Sequence, residues 1–152
     1  MSEEAVYFED LDPGRVLISI EREVTADDSE AFNTLTGSSG RVHSSKEQAN
    51  EYGFSERLIV GPLVLGLSLP LHGLTAEQRT VALLGFESLW FKTPVHPGDR
   101  IRLESTVASA RPTKNSGRGL VTFHDRVMNQ RNDVVMEATR LVLYERRSAT
   151  LR

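Results

Sequence analysis

The feature that most constrains this chain is a run of apolar residues near its middle. Residues 58–73 contain Leu58, Ile59, Val60, Leu63, Val64, Leu65, Leu67, Leu69 and Leu71, and no Asp, Glu, Lys or Arg. As a helix over residues 61–73, this segment is hydrophobic nearly all round and has to be covered on most sides. It is too short to span a bilayer and is interrupted by Pro62, Gly66 and Pro70. Pro62 suits the first turn of a helix, where its missing N–H would have had no intrahelical partner anyway. The rest of the chain must therefore build a cover for a short apolar rod.

That cover is legible downstream as strands. Residues 81–91, 100–111, 119–129 and 134–144 read as four long strands, separated by the turn-forming stretches 94–99, 112–117 and 129–133. Ile101, Leu103, Ser105 and Val107 share one face. Val121, Phe123, Asp125 and Val127 share the next, and Met136, Ala138, Arg140 and Val142 share a face of the last. Long strands with short connections favour an antiparallel meander.

Upstream, Asp12-Pro13-Gly14 is a turn signal, and Val16, Ile18 and Ile20 alternate with Leu17, Ser19 and Glu21 as in a strand. Thr25 is placed as a helix N-cap with Asp28 as its capping partner, Ala31, Phe32 and Leu35 recur at helical spacing, and Gly37 closes the helix. Residues 37–45 read as a Gly- and Ser-rich loop. Ser45 then caps a second short helix, with Gln48 as its partner, that runs to Tyr52 and ends at Gly53. One strand, then helices, then four strands predict a single α+β domain over residues 1–152: a curved antiparallel sheet wrapped around a central apolar helix. The polar residues 146–152 read as a frayed tail.

Composition narrows the function classes. The chain has 152 residues, enough for one cored domain, with 39% hydrophobic and 26% charged residues. A net charge of −3 gives no basic signature for nucleic acid. The absence of cysteine removes disulfides, thiolate nucleophiles and Cys-type zinc sites. The acidic start lacks a basic-then-apolar signal pattern. The expectation is a cytoplasmic protein with no membrane partner, no metal and no bound cofactor.

Two stretches resemble the MaoC-like hydratase/dehydratase family of hot-dog proteins. The first runs Phe32-Asn33-Thr34-Leu35-Thr36-Gly37-Ser38-Ser39-Gly40-Arg41-Val42-His43, followed by Tyr52-Gly53-Phe54 and Arg57-Leu58-Ile59-Val60-Gly61. The second is Phe91-Lys92-Thr93-Pro94-Val95-His96-Pro97-Gly98-Asp99. The resemblance implies a hot-dog fold and addition or removal of water at the 2,3 position of an acyl thioester, with CoA or an acyl-carrier protein as the handle. In such enzymes an Asp and a His of the first motif act as base and acid, and an N–H at the start of the central helix holds the thioester carbonyl. A helix N-terminus suits that task, because the developing enolate is negative there.

Carried over by position, His43 matches the family's histidine and Gly61 its helix-start glycine. Ser38 stands where the family has the catalytic Asp, Gly40-Arg41 where it has Asn-Pro, and Val60 where it has a His. A serine hydroxyl is no carboxylate base. Ser38 is therefore assigned to holding water or orienting His43, and the N–H groups of Gly61 and Leu63 to the oxyanion. Arg41 is assigned either to a substrate carboxylate or to solvent. Glu87 would replace the missing carboxylate only if its strand turned it into the cleft. His72, His96 and His124 are dispersed, Asp99 belongs to a structural turn, and the loop 114–118 either meets CoA phosphates or is simply solvated. Two other functions compete: a catalytically silent hot-dog subunit paired with an active hydratase chain, and a hot-dog thioesterase, which usually needs a carboxylate near the helix start. Sheet edges predict a homodimer or a larger hot-dog oligomer.

Overall fold

The computed structural model describes residues 4–148. In chain order the elements are β1 (Val16–Ile18), β2 (Arg22–Glu23), α1 (Ala26–Thr36), α2 (Arg41–Ser44), α3 (Lys46–Asn50), α4 (Gly61–Ser68), β3 (Thr80–Phe91), β4 (Arg100–Pro112), β5 (Arg118–Asn129) and β6 (Val134–Glu145). The four long strands fall within a residue of their expected bounds. They form one antiparallel sheet in the order β1-β4-β5-β6-β3, with β2 on the same edge of β4 as β1. Register shifts at three points of β3, at Val107/Ser109 of β4 and at Val127/Met128 of β5 mark bulges. Each bulge adds local bend and twist, which lets the sheet curl over α4.

The helix caps are those the sequence specifies. Thr25 Oγ1 accepts from the Asp28 N–H at 3.0 Å, while Asp28 Oδ2 accepts from the Thr25 N–H at 2.9 Å. Gly37 ends α1 in the left-handed region at φ 74°. Ser45 Oγ accepts from the Gln48 N–H at 3.2 Å, but α3 ends at Asn50 rather than Tyr52. Leu35 is 84% exposed, so only part of the apolar spacing in α1 meets the core, chiefly through Phe32.

Three features depart from the sequence reading. The apolar helix is α-helical only over Gly61–Ser68 and continues as 3-10 turns over Leu69–Leu74. Pro70 has no N–H to give the Gly66 carbonyl, so the ladder cannot continue in α form. The first strand stops at Ile18 because Ser19 uses its side chain as backbone: the Ser19 N–H donates to the Leu103 carbonyl at 2.9 Å, and Ser19 Oγ accepts from the Leu103 N–H at 2.8 Å. Ser19 is buried here, while Val16, Ile18 and Ile20 face outward. Finally, residues 146–147 are not frayed. The Arg146 N–H donates to the Gly117 carbonyl, and the Arg147 guanidinium grips both oxygens of Asp10 at 2.8 Å. Residues 149–152 of the expected tail lie outside the described residues.

The concave face holds two apolar clusters. One surrounds α4 with Ile101, Leu103, Val127, Val135, Met136 and Ala138; the other joins Val6, Leu11, Val107, Val121, Phe123 and Val142. Polar residues stand in the sheet rows that supply both clusters. Ser105 and Asp125 are register partners across β4 and β5, and Arg140 comes from β6. Asp125 Oδ1 accepts from Ser105 Oγ at 2.5 Å, and Arg140 donates to both Asp125 oxygens, from Nε at 2.5 Å and from Nη2 at 3.1 Å. His72 Nε2 meets Ser105 Oγ at 3.0 Å.

Burial, reinforced by the Arg140 charge, lowers the pKa of His72 from 6.5 to about 4. An unfolded chain takes up that proton first, so stability falls as pH drops from about 6.5 toward 4, by up to about 3 kcal/mol. Denaturant midpoints at pH 7 and pH 4.5 will show this loss in the wild type. His72→Gln, which keeps a side-chain donor but does not titrate, will show a smaller one.

Candidate active site

His43 is positioned by a turn of helix that the sequence reading took for loop. In α2 the His43 N–H donates to the Gly40 carbonyl at 3.0 Å, and Ser44 Oγ donates to the same oxygen at 3.0 Å. The imidazole is then held from the other side, since Nδ1 lies 2.8 Å from the Leu58 carbonyl. A carbonyl only accepts, so in the neutral imidazole Nδ1 carries the proton and Nε2 keeps its lone pair. Gly40 matters sterically, because a Cβ there would sit 3.0 Å from His43 Cδ2.

The strap at residues 57–60 that fixes the ring is itself fixed. The Leu58 N–H donates to the Val42 carbonyl at 2.8 Å, the Ile59 N–H donates to the Val95 carbonyl at 2.7 Å, and His96 Nδ1 lies 2.9 Å from the Arg57 carbonyl. The 94–99 turn thus supports the site through the strap, a role its sequence did not advertise. Asp99 behaves as the expected turn residue: its Oδ2 accepts from the His96 N–H at 2.9 Å and its Oδ1 from Gln130 Nε2 at 2.7 Å.

His43 and Gly61 line one cavity of about 400 Å³. Its other walls are mainly apolar, from Val60, Pro62, Val64, Phe91, Val95 and Val135. The Gly61 N–H, at the start of α4, has no acceptor among the described residues. Leu63 is different: it is buried in the core, and its N–H donates to the Val60 carbonyl at 3.0 Å. That corrects the expectation of a second free oxyanion donor, because the first helical turn tightens and consumes it.

The remaining sequence candidates lie off the cavity wall. Ser38 is half-buried in the loop after α1, where its own N–H donates to Thr36 Oγ1 at 3.3 Å. Arg41 is exposed and paired with Glu51, so its guanidinium is committed to a surface ion pair. Glu87 is exposed on β3. No Asp or Glu is among the residues that line the cavity. Among the described residues no group of three or more His, Asp or Glu side chains could hold a metal, and no helix is long and apolar enough to cross a membrane.

This arrangement, in which a loop histidine and the N-terminus of an apolar helix share one cavity under a curled sheet, agrees with comparison to known proteins. The model of the MaoC like domain matches residues 11–141. The chain belongs to the MaoC-like domain family. The domain is 31% identical over 147 residues to mesaconyl-CoA hydratase of Cereibacter sphaeroides, covering 93% of this chain and 41% of that protein. It superposes on the MaoC-like dehydratase from Rhodospirillum rubrum with a TM-score of 0.83 at 26% identity, covering 95% of this chain and 99% of that one. The RV0216 protein of Mycobacterium tuberculosis, a double hotdog fold, gives a TM-score of 0.82 at 19% identity over 97% of this chain and 46% of that one. The fold of the MaoC-like domain is a hot-dog, and the chain spans less than half the length of the hydratase relative.

Gly61 owes its identity to packing as much as to any ligand. A Cβ there would lie 2.7 Å from two carbons of the Phe91 ring. Phe91 is 47% exposed at the end of β3 and can yield in part. Gly61→Ala is expected to destabilise the domain by about 1–3 kcal/mol, as overpacking does. Combining it with Phe91→Ala should recover most of that loss in urea unfolding.

Proposed function

We propose that this MaoC-like domain hydrates or dehydrates an acyl thioester at the 2,3 position, with CoA or a carrier protein as the handle. The observation that supports this most is the pairing of His43 Nε2, left with its lone pair by the Leu58 carbonyl, with the unused Gly61 N–H in one apolar cavity. In the hydration direction Nε2 takes a proton from water as the oxygen bonds to C3. The C2–C3 double bond becomes an enolate whose negative oxygen receives the Gly61 N–H and the positive end of α4. The imidazolium then returns a proton to C2, so atoms and charge balance. Apolar walls keep other water away and strengthen the single hydrogen bond. The name and sequence similarity of the mesaconyl-CoA hydratase relative support the thioester chemistry.

A second reading is favoured by one observation: no carboxylate lines the cavity. In that reading the chain is a silent subunit that pairs with an active hydratase chain. A hydration assay with a panel of trans-2-enoyl-CoA substrates separates the two. Turnover by the purified chain, reduced by about two to four decades in His43→Ala, supports the enzyme. No turnover by the folded protein supports the silent subunit. Ser38→Ala and Arg41→Ala, which alter groups off the cavity wall, are expected to leave the rate within about twofold.

We also propose pairing with a second copy through β3. This strand has twelve residues, pairs only with β6 among the described strands, and exposes Val81, Leu83, Leu84, Trp90 and Phe91. A long edge of this kind is a template for another chain, and the greater length of the hydratase relative is compatible with two such units in one polypeptide. Light scattering should give twice the chain mass, and Leu83→Lys should shift the protein toward monomer.

A further inference from the structure

The buried histidine far from His43 stands beside a cavity that the proposed chemistry does not use. This second cavity, of about 420 Å³, lies past the C-terminal end of α4, where the chain continues in 3-10 turns. Its apolar lining includes Leu69 and Phe123, and its polar lining is His72, Glu77, Gln78, Thr80, Arg140 and Tyr144.

The hydrogen bonds fix which atoms remain available. The Asp125 carboxylate only accepts, so Ser105 Oγ gives its proton to Oδ1. Ser105 Oγ can then only accept from His72, so His72 carries its proton on Nε2 and keeps a lone pair on Nδ1. Nδ1 has no partner among the described residues. Arg140 spends Nε and Nη2 on Asp125, with a longer contact from Nη2 to Ser105 Oγ at 3.4 Å, and Nη1 has no partner among the described residues. Arg140 is only 8% exposed, and its guanidinium carbon lies 4.7 Å from the centre of the Phe123 ring. A side chain gripped on two nitrogens and stacked on a ring is rigid, and its third nitrogen is a fixed donor. Of the other polar lining groups, Glu77 pairs with Arg79, Gln78 donates to the Ala76 carbonyl and accepts from the Tyr144 hydroxyl, and Thr80 is exposed, so the buried part of the lining offers one spare acceptor and one spare donor.

We propose that this cavity is a second small-molecule site, built for an uncharged ligand whose amide or hydroxyl donor meets His72 Nδ1 and whose carbonyl oxygen meets Arg140 Nη1, with a short apolar body on Phe123 and Leu69. The absence of ligand charge follows from the network. Asp125 already neutralises Arg140, and the lining carboxylate of Glu77 is paired with Arg79, so a charged ligand of either sign would be desolvated without a net opposite charge. His72 stays neutral at ordinary pH, since its pKa lies near 4, and its lone pair remains available. The site is independent of the thioester reading.

Benzamide is a suitable probe, with benzoate as its charged counterpart and methyl benzoate as the counterpart lacking a donor. Titration of 15N-labelled full-length protein should give saturable shifts at millimolar benzamide in the Gly73 and Thr80 amides and the Arg140 Nε–H signal. Benzoate and methyl benzoate should bind at least about tenfold more weakly, as expected when a buried polar partner is lost. Gly73 and Thr80 both line the cavity, and a Cβ at Gly73 meets nothing within 4 Å. Gly73→Leu and Thr80→Phe therefore fill the space without touching the network, and each should abolish the shifts, whereas His43→Ala should preserve them. The proposal is overturned if benzamide gives no saturable shifts, if its shifts map to the His43 cavity, if they survive in both filled variants, or if benzoate binds as well.

Discussion

Covering an eight-residue helix that has no polar face is the constraint from which the rest of this structure follows. Val64 is buried against the sheet, and Leu63 and Leu71 complete a core with strand residues from β4, β5 and β6. A flat sheet would reach only one side of such a helix, so the strands carry bulges and wrap it. Wrapping leaves the helix N-terminus at an opening, where α2 and the 57–60 strap close around it. The candidate chemistry is thus placed by the apolar burial: the same packing that hides α4 presents its first N–H to a cavity.

The polar quartet in the sheet obeys a different logic. Arg140, Asp125, Ser105 and His72 are all buried, and taking a charge pair out of water costs several kcal/mol per ion before any attraction is counted. Here the bidentate contact and the serine bridge offset much of that cost, and each Asp125 oxygen has a partner. The network constrains strand register, because a one-residue slip of β5 against β4 would carry Asp125 to the outer face and leave Arg140 unpaired.

Much of this was legible from residue spacing. β4, β5 and β6 were readable because apolar residues alternate along most of their length, β3 because it is a long run bounded by turn-forming residues, and the α1 caps because Thr25, Asp28 and Gly37 each have a specific stereochemical task. The polar quartet also left a trace, since Ser105, Asp125 and Arg140 each interrupt an otherwise apolar row at matching depth. Pairing those interruptions required the strand register, which no local pattern supplies. β1 misled in another way: Val16, Ile18 and Ile20 look like a core face, but Ser19 turns inward because its hydroxyl bonds to a neighbouring strand. In the site, His43 and Gly61 came from the family motif, whereas the tautomer-fixing Leu58 carbonyl, the Gly40 clearance and the consumed Leu63 N–H are backbone facts that side-chain identity does not encode. Arg41 looked available for a ligand because nothing in the sequence reveals its partner, Glu51.

The contact between residues 7–10 and residues 146–147 has a consequence of its own. Arg147 clasps Asp10 with two parallel hydrogen bonds and lies 4.9 Å from the centre of the Tyr7 ring, while Arg146 lies 5.7 Å from that of Phe8. The Phe8 ring in turn rests on Gly119, where even a methyl group would collide with it. The segment that precedes β1 is thereby stapled to the segment that follows β6, over the central strand β5. Each of these two segments holds the other in place, so loosening one also frees the other and uncovers Gly119 on the central strand.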